Sequence, residues 1–161
     1  MPVDDFVRRV SDVLTRADTL FGSGSGDAPA GASAQQLADA ADAVRRNAGP
    51  DMAGSAVAGY SAFAQERASA LTQLADTDKA FNQALEQAAT AENTAAAASR
   101  STVAAAAQHS HLLSTDGHTP AGHRSLIGAL QSEVGRQQEL VRRHHEQALE
   151  LAEQVRQLPY G

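Results

Sequence analysis

Four histidines fall within fifteen positions, His109, His111, His118 and His123, with Asp116 among them. They are the densest set of chemistry-bearing side chains in the sequence. Imidazole and carboxylate groups ligate zinc, nickel or copper, and a turn could gather several of them. Their spacing fits no metal motif, however, and no His-Glu-x-x-His helix is present. The neighbouring Ser, Thr, Gly and Pro residues suit a polar, exposed tip rather than a dry pocket. The expectation is a hydrated turn that holds no metal or cofactor. A second basic set, Arg142, Arg143, His144 and His145, occupies about one helical turn. Glu133, Glu139 and Glu146 could suggest paired acid–base catalysis, but their helical spacing describes an ordinary charged face. No catalytic residue is assigned, and the chain reads as a non-enzyme.

These groups must be positioned by helices. Val3, Phe6, Val7, Val10, Val13, Leu14, Ala17, Leu20 and Phe21 recur every three or four residues, which predicts a first amphipathic helix from Val3 to Phe21. The segment Gly22–Gly31 is a flexible linker by composition. It is not a phosphate loop, because no strand precedes it and no Gly-Lys-Ser/Thr closes it. Ser33 and Gln36 have capping-box spacing at the start of a short second helix. Its apolar face is Leu37, Ala40, Ala41 and Val44, and Asn47-Ala48-Gly49-Pro50 ends it.

Asp51 is placed to cap a third helix without proline as far as Gln108. Val57, Tyr60, Phe63, Leu71, Leu74, Phe81, Leu85 and Ala88 keep its period. Beyond Ala88 the stripe becomes alanine, which permits close helix approach but buries little area, so this half needs a partner helix. A turn from 109 to 120 follows, where Thr119 can cap a last helix with Pro120 at its first position. That helix runs to Leu158. One heptad position carries Ile127, Val134, Val141, Ala148 and Val155; the other carries Leu130, Gln137, His144, Leu151 and Leu158. The interaction seam is assigned to Ile127, Leu130, Val134, Val141, Leu151 and Val155. Gln137 and His144 interrupt it, as polar residues that fix register do; for His144 a pH switch is the alternative. Glu139 and Arg143 add a favourable i,i+4 pair. The predicted fold is all-α: a long antiparallel, coiled-coil-like hairpin over 51–158, with one or two shorter N-terminal helices packed on it.

Composition narrows the function. Alanine supplies 35 of 161 residues, the formal charge is -6, and cysteine and tryptophan are absent. An acidic balance argues against a nucleic-acid or anionic-membrane binder. Lack of cysteine excludes disulfides and thiolate sites within these residues. No apolar run reaches the ~20 residues of a membrane span, and Met1–Arg9 lacks a signal-peptide core. Twelve arginines against the single Lys79, together with the alanine excess, match a GC-rich, actinobacterium-like genome.

An alanine-rich helical hairpin of this kind resembles the actinobacterial type VII (ESX) secretion substrates, the WxG-type proteins and their relatives. The segment Ser114-Thr115-Asp116-Gly117-His118-Thr119-Pro120-Ala121-Gly122-His123-Arg124, with the heptad helix after it, looks like a mycobacterial helical domain with a Thr-Pro-Ala-Gly turn. The likeness covers roughly Val57 to Leu158. It departs from the family in having no Trp-x-Gly and no Tyr-x-x-x-Asp/Glu signal, since Tyr160 is followed only by Gly161. The resemblance implies a non-enzymatic interaction protein, cytoplasmic before export and then secreted or envelope-associated. Its partners would be a helical protein, a second copy, or secretion machinery or a chaperone. The alternative is an N-terminal targeting or regulatory domain of a peptidoglycan hydrolase, with Leu158-Pro159-Tyr160-Gly161 leading into a linker.

Overall fold

The structure, a computed structural model, describes residues 2–22, 32–47, 55–116 and 119–159. Its regular elements are helices: α1 (Pro2–Asp18), which tightens into a 3-10 turn (Thr19–Phe21), α2 (Ala32–Asn47), α3 (Ser55–Asp116) and α4 (Pro120–Arg156). The chain is all-α, as its helix-forming composition and 3.6-residue periodicity require. Among the described residues no helix is long and apolar enough to cross a membrane.

Helix starts and stops follow local chemistry. α1 and its 3-10 turn end at Phe21, where the sequence pattern ends. Gly22 follows with φ 61° and ψ -162°, a backbone state open essentially only to glycine. Positions 23–31 of the expected linker, and the Gly49-Pro50 stop and Asp51 cap, lie outside the described residues. At α4, the backbone N–H of Gly122 donates to Thr119 Oγ1 at 3.1 Å, so Thr119 caps a helix whose first residue is Pro120.

The expected turn at 109–120 is corrected. α3 continues through the histidines to Asp116, and α4 begins at Pro120. Leu112 and Leu113 are good helix formers, and His, Ser and Thr are weaker ones but not breakers; only glycine and proline carry a large penalty, and the first of these is Gly117. Ser110 also turns its hydroxyl onto the carbonyl of Ala106 at 2.9 Å. The same back-bonding holds Thr72 to Ala68, Thr77 to Gln73, Thr94 to Thr90 and Thr102 to Ala98. Hydroxyls that would otherwise compete with the backbone are thereby satisfied inside the helix.

The chain divides into two compact units. The first comprises Met1–Asp27 and Gln87–Leu151. Its core joins Val10 and Leu14 of α1, Ala106 of α3, and Leu126 and Leu130 of α4, with Phe6, Val7, Val103 and Val134 packed around them. A second cluster seats Phe21 on Ala95 and Ala96, flanked by Leu140 and Val141. The alanine half of α3 gains its partner here: small side chains leave room for Leu14 and Phe21, each 1% exposed.

The second unit comprises Ala28–Glu86 and Ala152–Gly161. In it Arg45 of α2 donates to Thr72 Oγ1 of α3 at 3.0 Å. Ala41 and Ala68, one turn before each of these residues, are buried. Further along α3, Ala75, Thr77 and Ala84 are buried as well.

Candidate functional site

Polar side chains in the first unit are sorted into a buried relay and an exposed ion network. In the relay, Ser99 of α3 donates to Asp18 Oδ1 at 2.5 Å and accepts from Gln137 Nε2 of α4 at 2.9 Å. Ser99 is fully buried and Gln137 nearly so. Three helices are thus joined through one hydroxyl. One turn before Gln137, Glu133 is also buried; its Oε1 accepts from Arg136 at 2.9 Å and lies 3.8 Å from His109 Nε2. One atom of each group, Glu133 Oε2 and Gln137 Oε1, is buried without a hydrogen-bond partner. His144 sets its ring edge-on to Phe21 with centroids 5.2 Å apart, and its Nδ1 is likewise buried and unpartnered. Both polar interruptions of the heptad pattern therefore meet specific partners on other elements.

The ion network lies along the solvent side of α4. Glu139 accepts from Arg142 at 2.8 Å and Arg143 at 2.7 Å, and Arg142 reaches on to Glu146. These hydrogen bonds, that from Arg142 first, hold the Glu139 carboxyl well below its usual range, at about 2. Reciprocally, Glu139 and then Glu146 raise Arg142 above its ordinary value. Glu139 and Glu146 form the expected charged face, but Glu133, expected on the same face, is instead buried at 3% exposed.

Of the histidines singled out for metal binding, His109 is half-buried beside Glu133, His111 is exposed and His123 is half-buried. His118 lies outside the described residues. Among the described residues no group of three or more His, Cys, Asp or Glu side chains is placed to hold a metal ion.

The seam residues fall in different settings. Leu130 is in the core of the first unit, Val134 packs on that core and Val141 packs on the Phe21 cluster. Ile127, Leu151 and Val155 are half-buried.

In the second unit, several alanines of α3 are buried while three of its larger apolar residues are exposed; Leu71, Phe81 and Leu85 are half-buried. Ala64, Ala68 and Ala75 are buried, whereas Tyr60, Phe63 and Leu74 are 59%, 52% and 41% exposed. Arg67 stacks its guanidinium over the Phe63 ring at 4.9 Å. At 100° per residue, Tyr60, Phe63, Arg67 and Leu74 share an arc of about 60°. Periodicity identifies such a face but not its direction, because alanine and phenylalanine both count as apolar. Asp18 and Ser99 were equally hidden in the sequence: the former closes an amphipathic helix and the latter sits in an alanine run.

No protein-family model matches the chain, and no curated protein or solved structure shows significant similarity to it.

Proposed function

We propose that the chain is a non-enzymatic helical interaction domain that self-associates through the Tyr60–Phe63–Arg67–Leu74 face of α3. The observation that carries this reading is the exposure of that face while alanines occupy the buried side of the same helix. Aromatic residues and arginine are the types enriched at protein interfaces and among their energetic anchors. Between Ala58 and Ala75 the only charged residues are Glu66 and Arg67, so the face is locally neutral. A second copy can therefore approach despite the net charge of -6. Burying two aromatic rings and a leucine per copy supplies the favourable term, at ~25 cal/mol per Å².

Within the first unit we read 87–116 and 120–151 as an antiparallel hairpin. In support, partners on α4 rise in number as those on α3 fall: Glu133 lies beside His109, and Gln137 bonds Ser99. The Asp18–Ser99–Gln137 relay would then fix the register of the three helices, the best-attested use of buried polar groups. Export by a type VII system is the accompanying proposal, and it rests on the sequence resemblance. Its test is expression of the tagged chain in a mycobacterial host. The chain should reach the culture filtrate when the type VII ATPase is intact and stay in the cells when it is deleted; equal release from both strains contradicts it. Self-association is tested by sedimentation of the wild type and of Phe63→Asp, with helicity monitored alongside.

A further inference from the structure

The first unit carries a half-open groove of about 200 Å³ between α1 and α4. Val13, Leu14 and Ala17 of α1 and Val134 and Val141 of α4 give it apolar walls. Val13 is 54% exposed and Leu20, two turns on, is 66% exposed, so the apolar strip of α1 continues along the surface beyond the core. The rims of the groove differ from the chain as a whole, whose net charge is -6. At 100° per residue, Arg9 and Arg16 stand about 40° and 60° from Val13, on the side away from Leu14. Both are exposed, and among the described residues neither has an acidic partner; the α1 arginine that pairs is Arg8, with Asp5. Asp12 lies farther round, about 100° from Val13. The α4 rim is formed by the exposed Gln131, Gln138 and His145, with no carboxylate among them. Of the nearest acids on that helix, Glu133 is buried, and Glu139 and Glu146 are held by Arg142.

We propose that this groove docks an acidic amphipathic helix of a partner protein, its apolar ridge against Val13, Ala17, Val134 and Val141 and its carboxylates toward Arg9 and Arg16. The walls come from two helices, and their apolar positions recur at spacings of three, four and seven. That pattern matches the i, i+3, i+4 and i+7 anchors of a third helix laid between them. From Arg9 to Leu20 the α1 rim spans about 17 Å, or three turns of such a partner. Charge then selects the partner: carboxylates over two unpaired arginines are attracted, whereas lysines there are repelled. The second copy proposed above docks on Tyr60–Leu74 of the other unit, so this surface adds a partner to that reading and does not depend on it.

The test is titration of the ¹⁵N-labelled full chain with two synthetic helices of about 18 residues, ~27 Å long. Both carry leucine at heptad positions a and d; one carries Glu and the other Lys at e and g. The Glu peptide should give saturable amide shifts at residues 9–20 and 131–145. It should bind about tenfold more tightly than the Lys peptide, because two rim pairs turn from attraction to repulsion. The acidic chain as a whole favours the Lys peptide, so that order reports the rim itself. Arg9→Glu combined with Arg16→Glu should reverse the order, and Val13→Asp should abolish binding. Helicity should be unchanged in both variants, since all three side chains are exposed. Should either lose helicity, Gln138→Glu on the opposite, exposed rim should weaken binding of the Glu peptide instead. Absence of saturable shifts, equal binding of the two peptides, or shifts confined to residues 60–74 overturns the proposal. So do concentration-dependent shifts at 9–20 and 131–145 in the peptide-free chain, which would make the occupant a second copy.

Discussion

Gly22 and the glycines of α4 make opposite demands on a methyl group. At φ 61° and ψ -162° Gly22 occupies a region closed to other residues, and a Cβ there would come within 2.9 Å of Glu92 Oε1. Gly22→Ala should therefore cost about 1–3 kcal/mol, read as a lower melting temperature by circular dichroism. Gly128 and Gly135 lie inside α4, where an added Cβ meets nothing within 4 Å. Alanine at either should stabilise by about 0.5–1 kcal/mol, because glycine is the poorer helix former. Glu139 supplies a pH signature. Its folded carboxyl, at about 2, is depressed from an ordinary 4.5, so its contribution is present above 4.5 and disappears as pH falls through the folded value. The melting-temperature difference between wild type and Glu139→Gln should shrink over that window. Because the network is exposed, it should also shrink in high salt. A difference that persists in acid would deny the Arg142 and Arg143 hydrogen bonds.

At the scale of elements, helices were legible wherever one residue's chemistry is decisive. Thr119-Pro120 marks the start of α4 because a hydroxyl cap and a fixed φ act locally, and the 3-10 turn that follows α1 ends at Phe21 because the apolar stripe does. The end of α3 was not legible in the same way, since the polar run from Gln108 resembles a loop in composition yet contains no breaker before Gly117. Packing was readable only in part. The alanine half of α3 signalled its need for a neighbour, but nothing local says that Leu14 and Phe21 supply it. The two heptad interruptions signalled register, but the Ser99 that Gln137 meets is thirty-eight residues away in the chain. Two substitutions test this packing by chemical denaturation. Leu14→Ala should cost about 2–5 kcal/mol, from lost burial and the cavity left behind. Ser99→Ala, which strands the Gln137 amide, should cost about 1–3 kcal/mol. Near-zero cost at both positions would contradict the three-helix core.

For the whole molecule, acidity and alanine content motivate the proposed association between helices, while the face proposed to associate is visible only through its exposure. Between Tyr60 and Ala75 of α3, Ala64, Ala68 and Ala75 are buried while Tyr60, Phe63 and Leu74 are exposed, an arrangement that intermolecular packing of those three would explain. Sedimentation velocity over a micromolar-to-millimolar series is the most direct measurement of this claim. The wild-type mass should climb from 16.7 kDa toward twice that value as concentration rises. Phe63→Asp should remain at 16.7 kDa with an unchanged helical spectrum, because the aspartate would bury a charge in the interface without touching the core of either unit. A wild-type chain that stays at 16.7 kDa throughout, or a Phe63→Asp chain that associates equally well, would contradict the account.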